Sequence, residues 1–277
     1  MKNILLLTDF SKASKNAMNY AMQLFIDNVC NIYLLHVTDF STFLVDDLSS
    51  AESLASKIIS NEKTDNKLKK IVTKLKSDFD TKNFTFNTIT KYDHFIKVIN
   101  ELVDSKEIDL IVMGSNGITG AEEIVFGSNT INVVRKVKCT TLVIPEHYEF
   151  TKPKEVLIPL AQNDSIASNS FIEAKVFLEA FLDKLHFLRI NSDKESSETK
   201  KDKEHLIHLL NDKRYVYSKI NNVPLHYAVS TYTQLNNVNL ITLITHEETI
   251  FERLFYSSEK TKLSNYNLLP LLVFHSK

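Results

Sequence analysis

Short apolar runs alternate with amphipathic stretches along the first half of the chain. Ile4 to Leu7 is apolar throughout, the pattern of a strand buried on both faces. Ser11 then offers a helix cap. Behind it Ala17, Tyr20, Ala21, Leu24 and Phe25 recur at helical spacing. Ile32 to Val37 reads as a second strand. Thr38 to Asn66 is polar and mixed, and predicts a long connection with a short helix around Leu54 to Ile59. Leu68, Ile71, Val72 and Leu75 mark a helix. Phe84, Phe86 and Thr88 suit a third strand with alternating exposure. Phe95, Val98, Ile99, Leu102 and Val103 mark another helix. Leu110 to Met113 is a fourth buried strand, Asn129 to Val137 a helix, and Leu142 to Ile144 a fifth strand. The repeated β-α order predicts an α/β fold, a parallel sheet with helices on both faces.

After a polar stretch with Pro153 the pattern restarts. VLIPLAQ from Val156 is similar to ILLLTDF from Ile4, and LHFLRINSD from Leu185 to IYLLHVTD from Ile32. VNLITLITHEE from Val238 is similar to IDLIVMGSNG from Ile108, and PLLVFHS from Pro270 to TTLVIPE from Thr140. Four matches in one order indicate an internal duplication. The expected organisation is a domain at 1–146, a linker at 147–154 and a second domain at 155–277. The second copy carries the charged stretch NSDKESSETKKDKEH from Asn191, read as a solvated or mobile loop.

A chain of 277 residues, 43% of them hydrophobic, has room for one large or two smaller cores. The formal net charge of −1 offers no basic excess for nucleic acid or an anionic membrane. The opening apolar run is too short for a membrane span or a signal-peptide core, so a cytoplasmic protein is expected. Cys30 and Cys139 fit no metal spacing and read as buried free thiols in a reducing compartment.

All four glycines lie in one run, MGSNGITGAEEIVFGSNT: Gly114, Gly117, Gly120 and Gly127. Ligands of parallel α/β sheets bind beyond the carboxyl ends of the strands, where Asp9 and Gly114 both fall. The spacing G-x2-G-x9-G leads into the helix near Asn129, and a helix N-terminus with its unpaired N–H groups is an anion site. Ser128 and Thr130 can add hydroxyl donors. Asp9 can bond a ribose, or simply cap the first helix. No Gly-Lys pair for a P-loop is present, and the dinucleotide fingerprint fails at Asn116. His36 reads as a core histidine, His246 as a loop residue without a role, and Lys67, Lys69, Lys70, Lys74 and Lys76 as a solvated helix face.

The glycine spacing after DLIVMGSNG, the opening ILLLTDFS and the run KCTTLVIP resemble the universal stress protein family. The resemblance implies two tandem adenine-nucleotide alpha-hydrolase-like (Rossmann-like) domains. Each would hold a five-stranded parallel sheet in the order 3-2-1-4-5. It also implies a nucleotide site of Thr8, Asp9, Val37, Met113, Gly114, Gly117, Gly127, Ser128, Asn129 and Thr130, with adenine and ribose near Asp9 and Val37. The expected ligand is ATP or another adenine nucleotide, with or without Mg²⁺. Glu122 and Glu123 stand in the middle of the loop, where the family often has basic residues, and they keep ADP and AMP in play.

The second copy lacks this equipment. Asp9 aligns with Ala161, Gly114 with Ile244, Gly117 with Glu247 and Gly127 with Tyr256. The second domain is therefore expected not to bind nucleotide and to act as a pseudo-dimer partner, its last strand pairing with that of the first; a homodimer of chains is left open. The expected role is nucleotide binding in stress response or signalling, without a catalytic residue. The alternatives are a ligand-free scaffold and a slow ATP hydrolase.

Overall fold

The computed structural model describes residues 1–38, 51–115, 126–161, 164–179, 183–191, 202, 204–207, 215–245 and 269–275, with backbone alone at 51–61, 191 and 245. The chain divides into two compact units, with the change between His147 and Tyr148. No described helix is long and apolar enough to cross a membrane.

In the first unit β1 (Lys2–Leu7), α1 (Lys12–Leu24), β2 (Cys30–Thr38), α2 (Ala51–Asp78), β3 (Phe84–Tyr92), α3 (Phe95–Ser105), β4 (Leu110–Gly114), α4 (Ser128–Lys136) and β5 (Thr141–Ile144) follow one another. Every strand pair is parallel, in the order β3-β2-β1-β4-β5. The central β1 is flanked by β2 and β4, which explains the unbroken apolar run: Ile4, Leu5 and Leu6 are fully buried. Ser11 caps α1, its Oγ accepting from the Ser14 N–H at 3.1 Å. Cys30 and Cys139 are buried free thiols, and burial pushes the Cys30 thiol upward.

In the second unit β6 (Glu155–Leu160), α5 (Asn169–Glu179), β7 (Lys184–Asn191), β8 (Tyr215–Asn221), α6 (Leu225–Leu235), β9 (Leu240–Thr245) and β10 (Leu271–His275) are in place. The strand order is β8-β7-β6-β9-β10, again parallel. Registers correspond as well: Leu7 sits beside Leu35 in one unit, and Pro159 beside Leu188 in the other.

Two sequence expectations change. The long connection after the second strand is not loop up to Asn66, because α2 already begins at Ala51 and runs unbroken to Asp78. The polar run Ser60 to Lys67 hides its continuity, and of its described side chains only Leu68 and Leu75 are buried. The charged stretch of the second copy is not wholly solvated either. Asp202 is helical and 4% exposed, and Leu206 in the same stretch is fully buried. Neither β8 nor α5 and α6 stood out in the sequence.

Candidate functional site

The C-terminal ends of β1, β2 and β4 bring the first group of expected residues together. The turn after β1 is bound to itself. Thr8 is buried, accepts the Phe10 N–H on its Oγ1 at 3.0 Å, and meets the Ser14 hydroxyl at 3.1 Å. Asp9 accepts the Ser11 N–H at 3.0 Å, so one oxygen serves the turn into α1. Phe10 takes a left-handed conformation, φ 66°. Its ring lies against His36, centroids 4.5 Å apart, and the Lys67 ammonium sits 5.1 Å from its centroid.

His36 itself is part of the turn rather than of the core. Its Nδ1–H donates to the Thr8 carbonyl at 2.7 Å, and Nε2 faces the Thr38 hydroxyl at 3.4 Å. Val37, the next residue on β2, is half-buried and level with Lys91 on β3.

On the other side of β1, Met113 and Gly114 end β4. Gly114 has a steric reason that the sequence could not display. A Cβ there would lie 2.7 Å from the carbonyl carbon of Ala13 and 2.8 Å from its Cβ, so glycine is what lets α1 pack onto β4. Thr130 is buried, and its hydroxyl shares one proton between the Gly114 and Ser115 carbonyls, each at 3.1 Å. It ties α4 to β4 instead of facing outward as a phosphate donor. The Gly127 N–H donates to the Ser115 carbonyl at 2.8 Å.

Gly127 is the N-cap of α4 with φ −61° and ψ 154°. This is ordinary extended backbone, so no left-handed conformation calls for glycine here. What glycine does is leave the helix end without a side-chain cap. The exposed Ser128 and Asn129 follow it. The first N–H groups of a helix have no partners within it, and here no acidic side chain occupies the first turn. Gly117, Gly120, Glu122 and Glu123 lie outside the described residues.

The corresponding end of the second unit is built differently. Arg189 stands on β7 at the register of His36, level with Leu160, and is fully buried. Its guanidinium donates to the Ala161 carbonyl, to the Asp164 carbonyl at 2.9 Å, and through Nε to Asp202 Oδ2 at 2.9 Å. Nη2 meets the same oxygen at 2.5 Å, and Tyr217 donates its hydroxyl to it at 2.7 Å. Burial, reinforced by the adjacent Asp202 carboxylate, pushes the Tyr217 phenol up to about 12. Ile244 fills the place of Gly114 at the end of β9 and is buried. His246, Glu247 and Tyr256 lie outside the described residues. The sequence alignment flagged Ala161 and Ile244 but not Arg189, although LHFLRIN beside IYLLHVT shows an arginine in an otherwise apolar strand, a signal for a buried partner.

The model of the universal stress protein family matches residues 1–145. The chain belongs to that family. Two universal stress proteins of Methanocaldococcus jannaschii align with it, one 30% identical over 143 residues, the other 28% identical over 152. Each alignment covers 52% of this chain, and 81% and 94% of the relative respectively. The crystal structure of a universal stress protein from Archaeoglobus fulgidus matches over 99% of this chain and 96% of its own, with 16% identity and a TM-score of 0.67. That similarity is one of fold and extends through the second unit, beyond the family match. As a universal stress protein by its first 145 residues, the chain brings the β1 turn, the close packing of α1 on Gly114 and the α4 N-terminus to the same ends of the strands.

Proposed function

We propose that the first unit binds one adenine nucleotide at the carboxyl ends of β1, β2 and β4. In this reading the base and ribose lie near Asp9 and Val37. The phosphates meet the α4 N-terminus at Gly127, Ser128 and Asn129, with Gly114 and Gly117 alongside. The observation that carries it is the α4 N-terminus itself: led by glycine, capped by no side chain among the described residues, and tied by the Gly127 N–H to the end of β4, the strand beside β1. Thr8, Met113 and Thr130 shape this site from behind, Thr130 by fixing α4 on β4. Mg²⁺ is part of the proposal only as a companion of the phosphates.

The second unit is proposed as the non-binding partner of the first, with the protein acting as a nucleotide-responsive element in stress response or signalling and not as an efficient catalyst. A second reading, a ligand-free scaffold, draws on specific contacts: Gly114 is required by Ala13, and Asp9 and Thr130 each bond main chain.

The test is mass spectrometry of small molecules released from the denatured protein, with thermal shifts in ATP, ADP and AMP, with and without Mg²⁺. At a hundred times its dissociation constant a ligand adds about 2.7 kcal/mol. A shift abolished by Gly127→Val supports the nucleotide reading. No released nucleotide and no shift hands the case to the scaffold.

A further inference from the structure

The strongest chemical feature outside the first crevice is the charge buried in the second. A fully buried arginine is uncommon, and it is tolerated only with hydrogen bonds and a counter-charge. Arg189 has both. Two of its bonds go to main-chain carbonyls of the turn after β6, at Ala161 and Asp164. That turn is independently closed, since Asp164 Oδ2 accepts the Ala161 N–H at 2.7 Å. The remaining described donors, Nε and one N–H of Nη2, converge on a single carboxylate oxygen of Asp202. Tyr217 completes the cluster from β8.

Two N–H groups converging on one anionic oxygen are charge-assisted bonds of the kind a guanidinium also makes to an oxygen of a carboxylate or phosphate from solution. It also lies where ligands of such sheets are held, beyond the carboxyl ends of the strands. The carboxylate comes from a separate charged stretch of chain, not from the β6 turn that the guanidinium braces. In the first unit the residue at the same register, His36, bonds the Thr8 carbonyl and faces the Thr38 hydroxyl, its ring lies against Phe10, and no carboxylate among the described residues is bonded to it.

We propose that the second crevice contains an anion site of its own, with Arg189 and Tyr217 as its donors, occupied by the chain's Asp202 as a built-in ligand. The proposal concerns the second unit alone and stands whether or not the first unit binds nucleotide. It gives the second unit a chemistry different from the first: recognition of a small phosphate-type or carboxylate anion, satisfied internally and exposed only when Asp202 is withdrawn or neutralised.

The test uses the whole chain, with inorganic phosphate as probe and chloride at equal ionic strength as reference. Asp202→Asn keeps the shape of the side chain and removes its charge. Phosphate is expected to stabilise this variant saturably against heat, at concentrations at least tenfold below any that affect the wild type. Tyr217→Phe, which keeps the ion pair and removes one donor, is expected to respond in between. The double variant Arg189→Met with Asp202→Asn is expected to lose the response. If Asp202→Asn folds and responds to phosphate no more than the double variant, the proposal fails. If it is recovered unfolded, phosphate must restore the fold, and failure to do so overturns the proposal equally. A wild type as sensitive as Asp202→Asn overturns it too.

Discussion

At one register of the second strand the first unit has His36 and the second has Arg189. The histidine holds one carbonyl of the preceding turn through a single ring nitrogen. The arginine holds two carbonyls and brings a carboxylate with it. At the end of the fourth strand the contrast repeats. Gly114 admits α1 until the Ala13 main chain almost touches it, and α1 starts at Lys12, close behind Asp9. Ile244 stands at that position in the second unit and is buried, and α5 starts only at Asn169, well beyond Ala161. The same strand order therefore supports two kinds of sheet end. In one, small residues bring a helix in close beside an uncapped helix end. In the other, larger side chains satisfy the crevice from within.

The sharpest way to break this comparison is to remove one half of the ion pair. Arg189→Met leaves the Asp202 carboxylate buried without its counter-charge and is expected to cost about 3–5 kcal/mol in urea unfolding. Replacing both, Arg189→Met with Asp202→Leu, should restore most of that loss. The matching change in the first unit, His36→Phe, removes one side-chain hydrogen bond to a main-chain carbonyl and should cost only about 1 kcal/mol. Equal losses at the two positions would erase the distinction drawn between them.

Gly114→Ala comes next. The added methyl must displace main chain at Ala13, an overpacking expected to cost about 1–3 kcal/mol by thermal or chemical unfolding. A neutral outcome would mean that α1 can retreat from β4 as α5 stands back from β9.

Two histidines of the second unit give its stability a pH dependence. Burial holds His186 and His226 of the second unit below the usual value of 6.5, with Glu155 opposing the shift at His186. His186 is nearly fully buried between Tyr232, 2.9 Å from Nδ1, and Glu155, 2.8 Å from Nε2, with the Lys184 ammonium 3.8 Å from the same Glu155 oxygen. A lowered folded value means that the unfolded chain takes up the proton first. Stability is thus complete above about pH 6.5 and declines as pH falls through 6.5 towards the lowered values. Urea midpoints measured from pH 8 to pH 5 should follow that course, and His186→Gln should flatten it. A rise in stability on acidification would contradict the assignment.

The smallest expected effect belongs to Thr130→Val. Losing one hydroxyl bifurcated between the Gly114 and Ser115 carbonyls should cost about 1 kcal/mol in unfolding experiments, with nucleotide response weakened but not abolished.

The α/β architecture was readable from the sequence because buried parallel strands leave unbroken apolar runs, as in Ile4 to Leu7 and Leu110 to Met113. The positions of Asp9, Gly114 and Gly127 at strand and helix ends followed from the same reasoning. What stayed hidden has physical causes. The first half of α2 has apolar spacing only up to Ile59 and then the polar run Ser60 to Lys67, so the sequence signals a short helix there and not one of 28 residues. Strand β8 reads YVYSKIN and is half-buried nearly throughout, without a clean alternation. The reason for Gly114 lies in Ala13, distant in sequence, and the orientation of the Thr130 hydroxyl depends on carbonyls that only folding brings near. Asp202 sits in a stretch rich in lysine and glutamate, where composition signals solvent, and only its tertiary partner Arg189 draws it inside.

The central claim is that nucleotide binding belongs to one unit of two. Native mass spectrometry of the whole chain titrated with ATP, ADP and AMP counts the bound molecules directly. One nucleotide per chain, lost in Gly127→Val and retained in Arg189→Met with Asp202→Leu, is the predicted result. Two nucleotides per chain, or one that survives Gly127→Val, would contradict it.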